Sequence, residues 1–594
     1  IHYQSPWYKK YNLVEDHFAR VNTALTRGKP VVKVAVVHPI ESFWLHWGPN
    51  DKSALLRESL DERFENLTKW LLEGSIDFNF ISESLLPTLC EKGSAPLKVG
   101  KMEYDAVVVP GCETLRSTTL ERLAAFKAQG GKLIFMGDAP YLCDAEPSDE
   151  GKKLFDESIK IDFSRAAILN ALDDNRTVTL RYTNGRLSDD LLYQLRQDND
   201  CKWLFICHTE EPHNKDVDRG DHIRITVNGE YEAELYNTFD GTVEPMPAFY
   251  RNGKTMIDRQ VYAYDSLLIK LTEGKKENGT AAEWVEIPEG RQVESVVDYA
   301  LSEKNVLLLD MAEYKLSGET EFSPKKEILR LDNVCREKLG IPKRGGSIVQ
   351  PWVVGEVPEI DKLTLRFTFE SEIDYEGAVL AFEEADKAES IVFNGEKVEK
   401  NILGNYVDIS IFKLQLPKIV KGKNTLEITY LYGEKTDIEN MFILGDFGVK
   451  LSGNEATLTA KPEKVGFGDL TAQGFPFYGG NITYKFKAEA KDGRMNIRAT
   501  WYKGAMISVK IDGEEKGSII YPPYILTVDG LADGEHEVEM TLYIHRYNTF
   551  GPLHLVDEKE SWHGPGAWRS TGRCWTDEYV LRRTGLLGAP AIID

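Results

Sequence analysis

No pair of cysteines in the sequence has the spacing of a metal site or a redox centre. The seven thiols, at positions 90, 112, 143, 201, 207, 335 and 574, form no CxxC and repeat no interval. Their odd number in so long a chain argues against a disulfide framework, and a thiolate zinc site has equally little support. No apolar run approaches the roughly 20 residues needed to cross a bilayer, so no membrane partner is expected. Positive charge is scarce: Lys+Arg 72 stand against Asp+Glu 95, leaving a net charge of −23. Nucleic acid and anionic membrane surfaces both demand concentrated positive charge, so neither is an expected partner. There is no GxxxxGK[ST] phosphate loop and no D-x-D-x-D-G calcium loop, and no cofactor or metal is expected. The opening residues IHYQSPWYKKY contain neither the apolar stretch of a signal peptide nor an initiator methionine. A cytoplasmic setting is the default expectation, with any export address carried by a removed upstream segment.

What remains is the composition of an ordinary folded protein, 42% apolar and 28% charged, in 594 residues. That length exceeds one hydrophobic core and implies about three to five domains. Residues 1–30 hold no complete domain: Ser5-Pro6-Trp7-Tyr8 has the look of a strand end, and Val14 to Leu25 of a helix stopped at Gly28-Lys29-Pro30. Over 31–150 strands and helices alternate. Val31 to Val37 is a valine-rich run suited to a strand buried on both faces. Leu56, Leu60, Phe64, Leu67 and Leu71 mark one face of a helix from Lys52 to Glu73, with Asp51 as its N-cap. Strands at Ile76–Ile81, Asp105–Val109 and Lys132–Met136, with a helix near Thr119–Gln129, complete a parallel, doubly wound sheet.

Beyond residue 150 the rhythm becomes that of β-sandwiches. Short alternating runs such as Trp203–Cys207, Ile223–Val227 and Leu267–Leu271 are separated by Asn-Gly, Asp-Gly and Arg-Gly turns, giving a sandwich over 151–275. A mixed connector over 276–350 carries a strand at Asn305–Asp310 and an amphipathic helix from Pro324 to Leu339. Two jelly rolls follow, at 351–452 and 453–594, because Ile391–Gly395 and Val509–Gly513 each end a strand in an Asn-Gly or Asp-Gly turn. The expected fold class is multidomain α/β plus all-β.

Particular segments carry a resemblance. The run "IVFNGEKV…NYVDISI…KGKNTLEI" over 391–426 resembles the sugar-binding jelly roll appended to family 2 and related glycosidases. "LEITYLYGEKTDIENMFILGDFGV", "GDLTAQGFPFYGGNITY" and "YNTFGPLHL" look like the tail of large bacterial rhamnosidase-type (family 106) and galactosidase-type hydrolases. Residues 31–140 are similar to the flavodoxin-like, class I glutamine-amidotransferase-like domain that follows the catalytic barrel of family 42 β-galactosidases and helps trimerise them. The resemblance covers nearly the whole chain without a diagnostic catalytic motif. It implies the post-barrel part of a bacterial glycoside hydrolase that cleaves terminal glycosidic bonds, with residues 1–30 as the end of the barrel. The two catalytic carboxylates would then lie upstream, in a barrel present in cis or as a separate chain. The chain alone would be inactive and its oligomer homomeric. A non-catalytic carbohydrate-binding protein and a true glutamine amidotransferase are the rival readings.

Candidate residues follow from chemistry. Cys112 in "VVVPGCETL" stands after a strand, yet no Cys-His-Glu set in the expected order accompanies it, so the domain is expected to be inert. His38, Glu41, Trp44, His46 and Trp47, in "HPIESFWLHWGP", occupy the sheet edge where ligands of doubly wound folds sit; they either dock a neighbouring domain or touch a substrate. His38 and His46 lack a third metal ligand. Trp7 and Tyr8 either pack in a core or offer faces for stacking on a sugar ring, and Gln4 could bond hydroxyls. Glu383, Glu384 and Asp386 cluster, Glu439 and Asp446 flank "NMFILG", and Asp240 sits in "NTFDG", but among 95 acidic residues such clusters arise by chance. The last candidates sit on aromatic-bearing, Gly-rich loops: Phe475, Phe477 and Tyr478; Asn548, Phe550 and His554; Trp562, His563 and Trp568. They either contact a glycan or bury an interface between modules.

Overall fold

The computed structural model describes residues 2–211, 220–276, 287–343, 355–556 and 574–593. Two compact units emerge, Asn12–Ile287 in one and Ile1–Tyr11 with Pro288–Asp594 in the other. The architecture is multidomain, α/β followed by all-β.

In the first unit five parallel strands form one sheet: β1 (Val34–Val37), β2 (Phe78–Ile81), β3 (Ala106–Pro110), β4 (Lys132–Met136) and β5 (Ile159–Ile161). Their spatial order, β5-β4-β3-β1-β2, is one of the two common doubly wound orders. β1 and β3 are buried at every residue, which is why they read as unbroken, valine-rich apolar runs. Leu67 and Leu71 of the helix Asn50–Glu73 pack with Ile168 on one face. Leu120, Leu123 and Phe126 of the helix Ser117–Ala128 cover the other.

Several boundaries differ from those expected. Lys29–Pro30 pairs with Gln197 and Arg196 in a different sheet, so the first parallel strand begins only at Val34. The helix expected from Lys52 begins at Asn50, and Pro49 occupies the N-cap, so Asp51 is in the first turn. There its charge faces the positive end of the helix dipole. The α/β layers run on past 150, because β5 and the helix Arg165–Ala171 belong to them. Next comes a sandwich of a six-stranded sheet, including Leu191–Gln197, Cys201–His208 and Ser266–Glu273, and a four-stranded sheet, including Gly220–Asn228 and Lys254–Tyr262. Leu204, Ile206 and Ile269 meet Ile223, Ile225 and Ile257 in its core. The helix Asn12–Leu25 lays Ala24 on Cys201, Trp203 and Leu268.

The second unit holds two sandwiches. In the first, Leu363, Leu365, Phe367 and Phe369 point inward at every second position of the strand Glu359–Ser371. They share a core with Leu380, Phe382 and Phe442. The second packs Ile482, Tyr484 and Phe486 with Met495, Ile497, Val528 and Ile592. The expected connector is in fact part of these walls. Asn305–Leu309 pairs with Met441–Gly445, Met311–Leu316 pairs with Glu359–Ser371, and Val296–Leu301 pairs with Ile482–Ala490. The helix expected from Pro324 starts at Ile328, because Ser323–Glu327 is a strand paired to Met311–Leu316. Glu327 caps the helix, accepting from the amides of Leu329 and Arg330 at 3.0 and 2.9 Å. Residues 5–7 are bend and turn that lead into a 3-10 helix, Tyr8–Lys10, rather than a strand end.

Candidate functional site

The C-terminal edge of the parallel sheet gathers an ionisable network. After β1 the chain turns at His38-Pro39 into the helix Ile40–Leu45. His38 meets Phe64 and Phe80 edge-on at 5.4 and 5.6 Å, and burial holds its ring below the ordinary histidine range. A cavity of ≈ 130 Å³ opens beside it, lined in part by Phe43, Arg63, Gly111 and Phe163. Ser42 Oγ accepts from the amides of Glu113 and Thr114 at 2.9 and 3.3 Å. His46 Nε2 lies 3.0 Å from both carboxylate oxygens of Glu113, which also accepts from the Tyr141 hydroxyl at 2.6 Å. Arg116 donates to Glu41 at 2.6 Å, and its amide donates to Glu83 at 2.7 Å.

Glu83 is 3% exposed. Burial, reinforced by the charge of Glu41, pushes its carboxyl up to about 7 against the opposing hydrogen bond from Arg116. Cys112 is buried beside it. Desolvation and the negative Glu83 and Glu41 hold its thiol well above the usual range, the opposite of what a nucleophile needs. His46 and Trp47 therefore part company. The former is engaged by Glu113, whereas Trp47 is 71% exposed with the Arg57 guanidinium 4.9 Å over its ring. Trp44, Leu45, Leu55 and Leu56 are exposed as well.

In the second unit the opening residues are stitched down. Gln4 gives its amide to the Asp408 carboxylate, so that amide is already engaged. Arg546 donates to the Gln4 carbonyl at 3.0 Å and grips Glu303 through two bonds of 2.6 Å. Asn481 holds the Pro6 carbonyl at 3.1 Å. Trp7 is half-buried against Tyr11, and Tyr8 is exposed.

The loop aromatics correct an expectation. Phe477 and Tyr478 are 0% and 1% exposed, and Phe475 is buried with them, so none presents a face to a sugar. The Tyr478 hydroxyl accepts from the Ser302 amide at 3.1 Å and donates to the Asn481 carbonyl at 2.8 Å. Asn548 is buried, and Phe550 packs on Tyr406 and Phe442. His554 is buried too, 3.1 Å from Asp310, whose other oxygen accepts from Tyr579 at 2.5 Å. Burial opposes charge on His554, but Asp310 and Glu327 outweigh it and raise its affinity for a proton. Trp562, His563 and Trp568 lie outside the described residues.

The acidic candidates rearrange as well. Glu383 ends the strand Val379–Glu383 and hydrogen-bonds Asp437, rather than acting with Glu384 or Asp386. Burial, Asp437 and Glu439 push its carboxyl up to about 7. No group of three or more His, Cys, Asp or Glu placed to hold a metal ion occurs among the described residues. No helix among them is long and apolar enough to cross a membrane.

One feature escaped sequence reasoning. A cleft of ≈ 390 Å³ in the second sandwich is lined by Glu289, Gln292, Arg498, Thr500, Trp501 and Ala591, among others. An isolated tryptophan in "ATWYKGAM" carries no motif that would have revealed it.

No protein-family model and no curated protein matches the chain. Among solved structures, a rhamnosidase from Novosphingobium sp. PP1Y matches 100% of this chain with a TM-score of 0.50 and 13% identity. This chain spans 41% of that rhamnosidase. An α-L-fucosidase isoenzyme 2 from Paenibacillus thiaminolyticus matches 45% of this chain over 51% of its own, at 11% identity and a TM-score of 0.28. A family 42 exo-carrageenase from Bacteroides ovatus matches 41% over 29% of its own, at 12% identity and a TM-score of 0.26. The fold is of a kind found in glycoside hydrolases.

Proposed function

We propose that this chain is the accessory, non-barrel part of a glycoside hydrolase acting on terminal glycosidic bonds, galactosidase-like or rhamnosidase-like. The observation that carries the reading is the fold likeness that runs over 100% of this chain and only 41% of a rhamnosidase. In this reading the α/β domain is amidotransferase-like in ancestry and inert, in keeping with the buried, protonated Cys112. Its exposed Trp44, Leu45, Trp47, Leu55 and Leu56 are apolar groups that a catalytic barrel or a second copy of the chain would cover on docking. The carboxylate pair that cleaves the bond belongs to the barrel, in cis or in a separate chain.

An antibody raised against this chain tests the reading by isolating the native polypeptide and whatever is bound to it. The isolate should hydrolyse 4-nitrophenyl α-L-rhamnopyranoside or β-D-galactopyranoside, whereas the 594-residue chain alone should not. Turnover by the chain alone, or an isolate without glycosidase activity, overturns the proposal.

A further inference from the structure

The cleft around Trp501 is built from residues far apart in the chain. Gln292 and Arg498 both lie opposite Ala591 in the antiparallel ladder, so the three form one cross-strand row. Directly opposed residues project to the same side of a sheet. Ile497 and Ile592, their neighbours along the strands, point into the core, so this row faces outward. A methyl group therefore forms the floor between a side-chain amide and a guanidinium, with neighbouring strands about 4.8 Å apart. Arg498 is braced by the Pro288 carbonyl at 3.4 Å. Glu289 and Thr500 add a carboxylate and a hydroxyl to the lining.

Trp501 closes one end. Its carbonyl accepts from the amides of Leu587 and Gly588 at 2.8 and 3.1 Å, which fixes the backbone beneath the ring. Gly588 lies close under the indole, since a Cβ there would sit 3.5 Å from Cε3. The side chain nevertheless leaves Trp501 41% exposed. Most large aromatics in this sandwich are spent on its core; this one borders open space.

We infer that this cleft is a saccharide-binding site for one neutral pyranose unit. A volume of ≈ 390 Å³ is in the range of small-molecule pockets, roughly 300–1,000 Å³. The indole suits the C–H face of a pyranose. The amide, carboxylate and guanidinium together accept from and donate to adjacent hydroxyls. Glu289 and Arg498 are of opposite charge, which favours a neutral sugar over a uronate or an amine. The ligand class comes from this lining, and the site rests on the accessory reading only in its link to a glycosidase.

The test uses the full chain on an array of plant and bacterial oligosaccharides, followed by saturation-transfer NMR with the best-bound glycan. Binding should fall at least tenfold in Trp501→Ala and in Arg498→Met, with thermal unfolding unchanged, while Trp501→Phe retains part of it. Unaltered binding in Trp501→Ala, or no binding to any neutral glycan by the intact chain, overturns the proposal. The two readings fail separately. A chain that binds through Trp501 but isolates with no glycosidase sinks the accessory role and leaves the cleft standing; glycosidase activity without glycan binding at the cleft does the reverse.

Discussion

Replacing Glu83 by glutamine should stabilise the α/β domain, and by an amount that depends on pH. Glu83 is 3% exposed and its carboxyl is pushed up to about 7 from an ordinary 4.5, chiefly by burial. Because the folded state holds the proton more tightly than the unfolded chain, folding stability falls as pH rises from about 4.5 to 7 and then levels off. At pH 8 the accumulated cost is about 3 kcal/mol, from about 1.4 kcal/mol for each pH unit of displacement. Glutamine keeps an oxygen to accept from the Arg116 amide but carries no charge to desolvate. Glu83→Gln should therefore raise the melting temperature of the unit Asn12–Ile287 at pH 8 by roughly 6–12 °C, and scarcely change it at pH 4.5. Scanning calorimetry of the full chain at the two pH values resolves the effect. An equal shift at both, or destabilisation at pH 8, would refute the burial account of Glu83.

Three further perturbations probe other parts of the molecule. Iodoacetamide at pH 8 should leave Cys112 unlabelled in the folded chain and label it after denaturation, read by peptide mass spectrometry; rapid native labelling would contradict its buried, protonated state. Arg546→Ala strands Glu303 and releases the Gln4 carbonyl. It should cost about 2–5 kcal/mol in urea unfolding, at the lower end because both side chains keep some solvent, and should speed amide exchange at Ser5 and Tyr8. Asp437→Asn removes a negative neighbour from Glu383, so the carboxyl now near 7 should titrate lower in ¹³C-glutamate NMR; an unmoved midpoint would show that burial alone sets it.

The parts of the fold legible in the sequence are those governed by local period. The cores of β1 and β3, though not their ends, were legible because a strand buried on both faces must be apolar throughout, and Val34–Val37 and Ala106–Pro110 are. What could not be read depends on partners distant in the chain. Val296–Leu301 looks like a connector until Ile482–Ala490, some 180 residues on, pairs with it. Ser323–Glu327 resembles the first turn of a helix because Lys-Lys-Glu favours one, yet its pairing with Met311–Leu316 overrides that local preference.

The aromatic loops show why glycine next to an aromatic is a two-sided signal. Gly479 and Gly480 follow Phe477 and Tyr478, and such a loop suggested rings displayed to solvent. A Cβ at Gly480 would lie 2.6 Å from the Tyr478 hydroxyl, and one at Gly479 would lie 2.4 Å from Thr549 Oγ1. Neither distance leaves room for a Cβ, so Gly480 lets the backbone pass close to the buried Tyr478 ring and Gly479 lets it pack against Thr549. Gly588 beneath Trp501 differs, since a Cβ there would meet the ring at an ordinary 3.5 Å and the tryptophan stays 41% exposed. The difference between a packing aromatic and an available one therefore lies in the space on the far side of the ring. At Trp501 that space is created by Ala591 between Gln292 and Arg498, a row assembled from three separate strands and invisible to any sequence window.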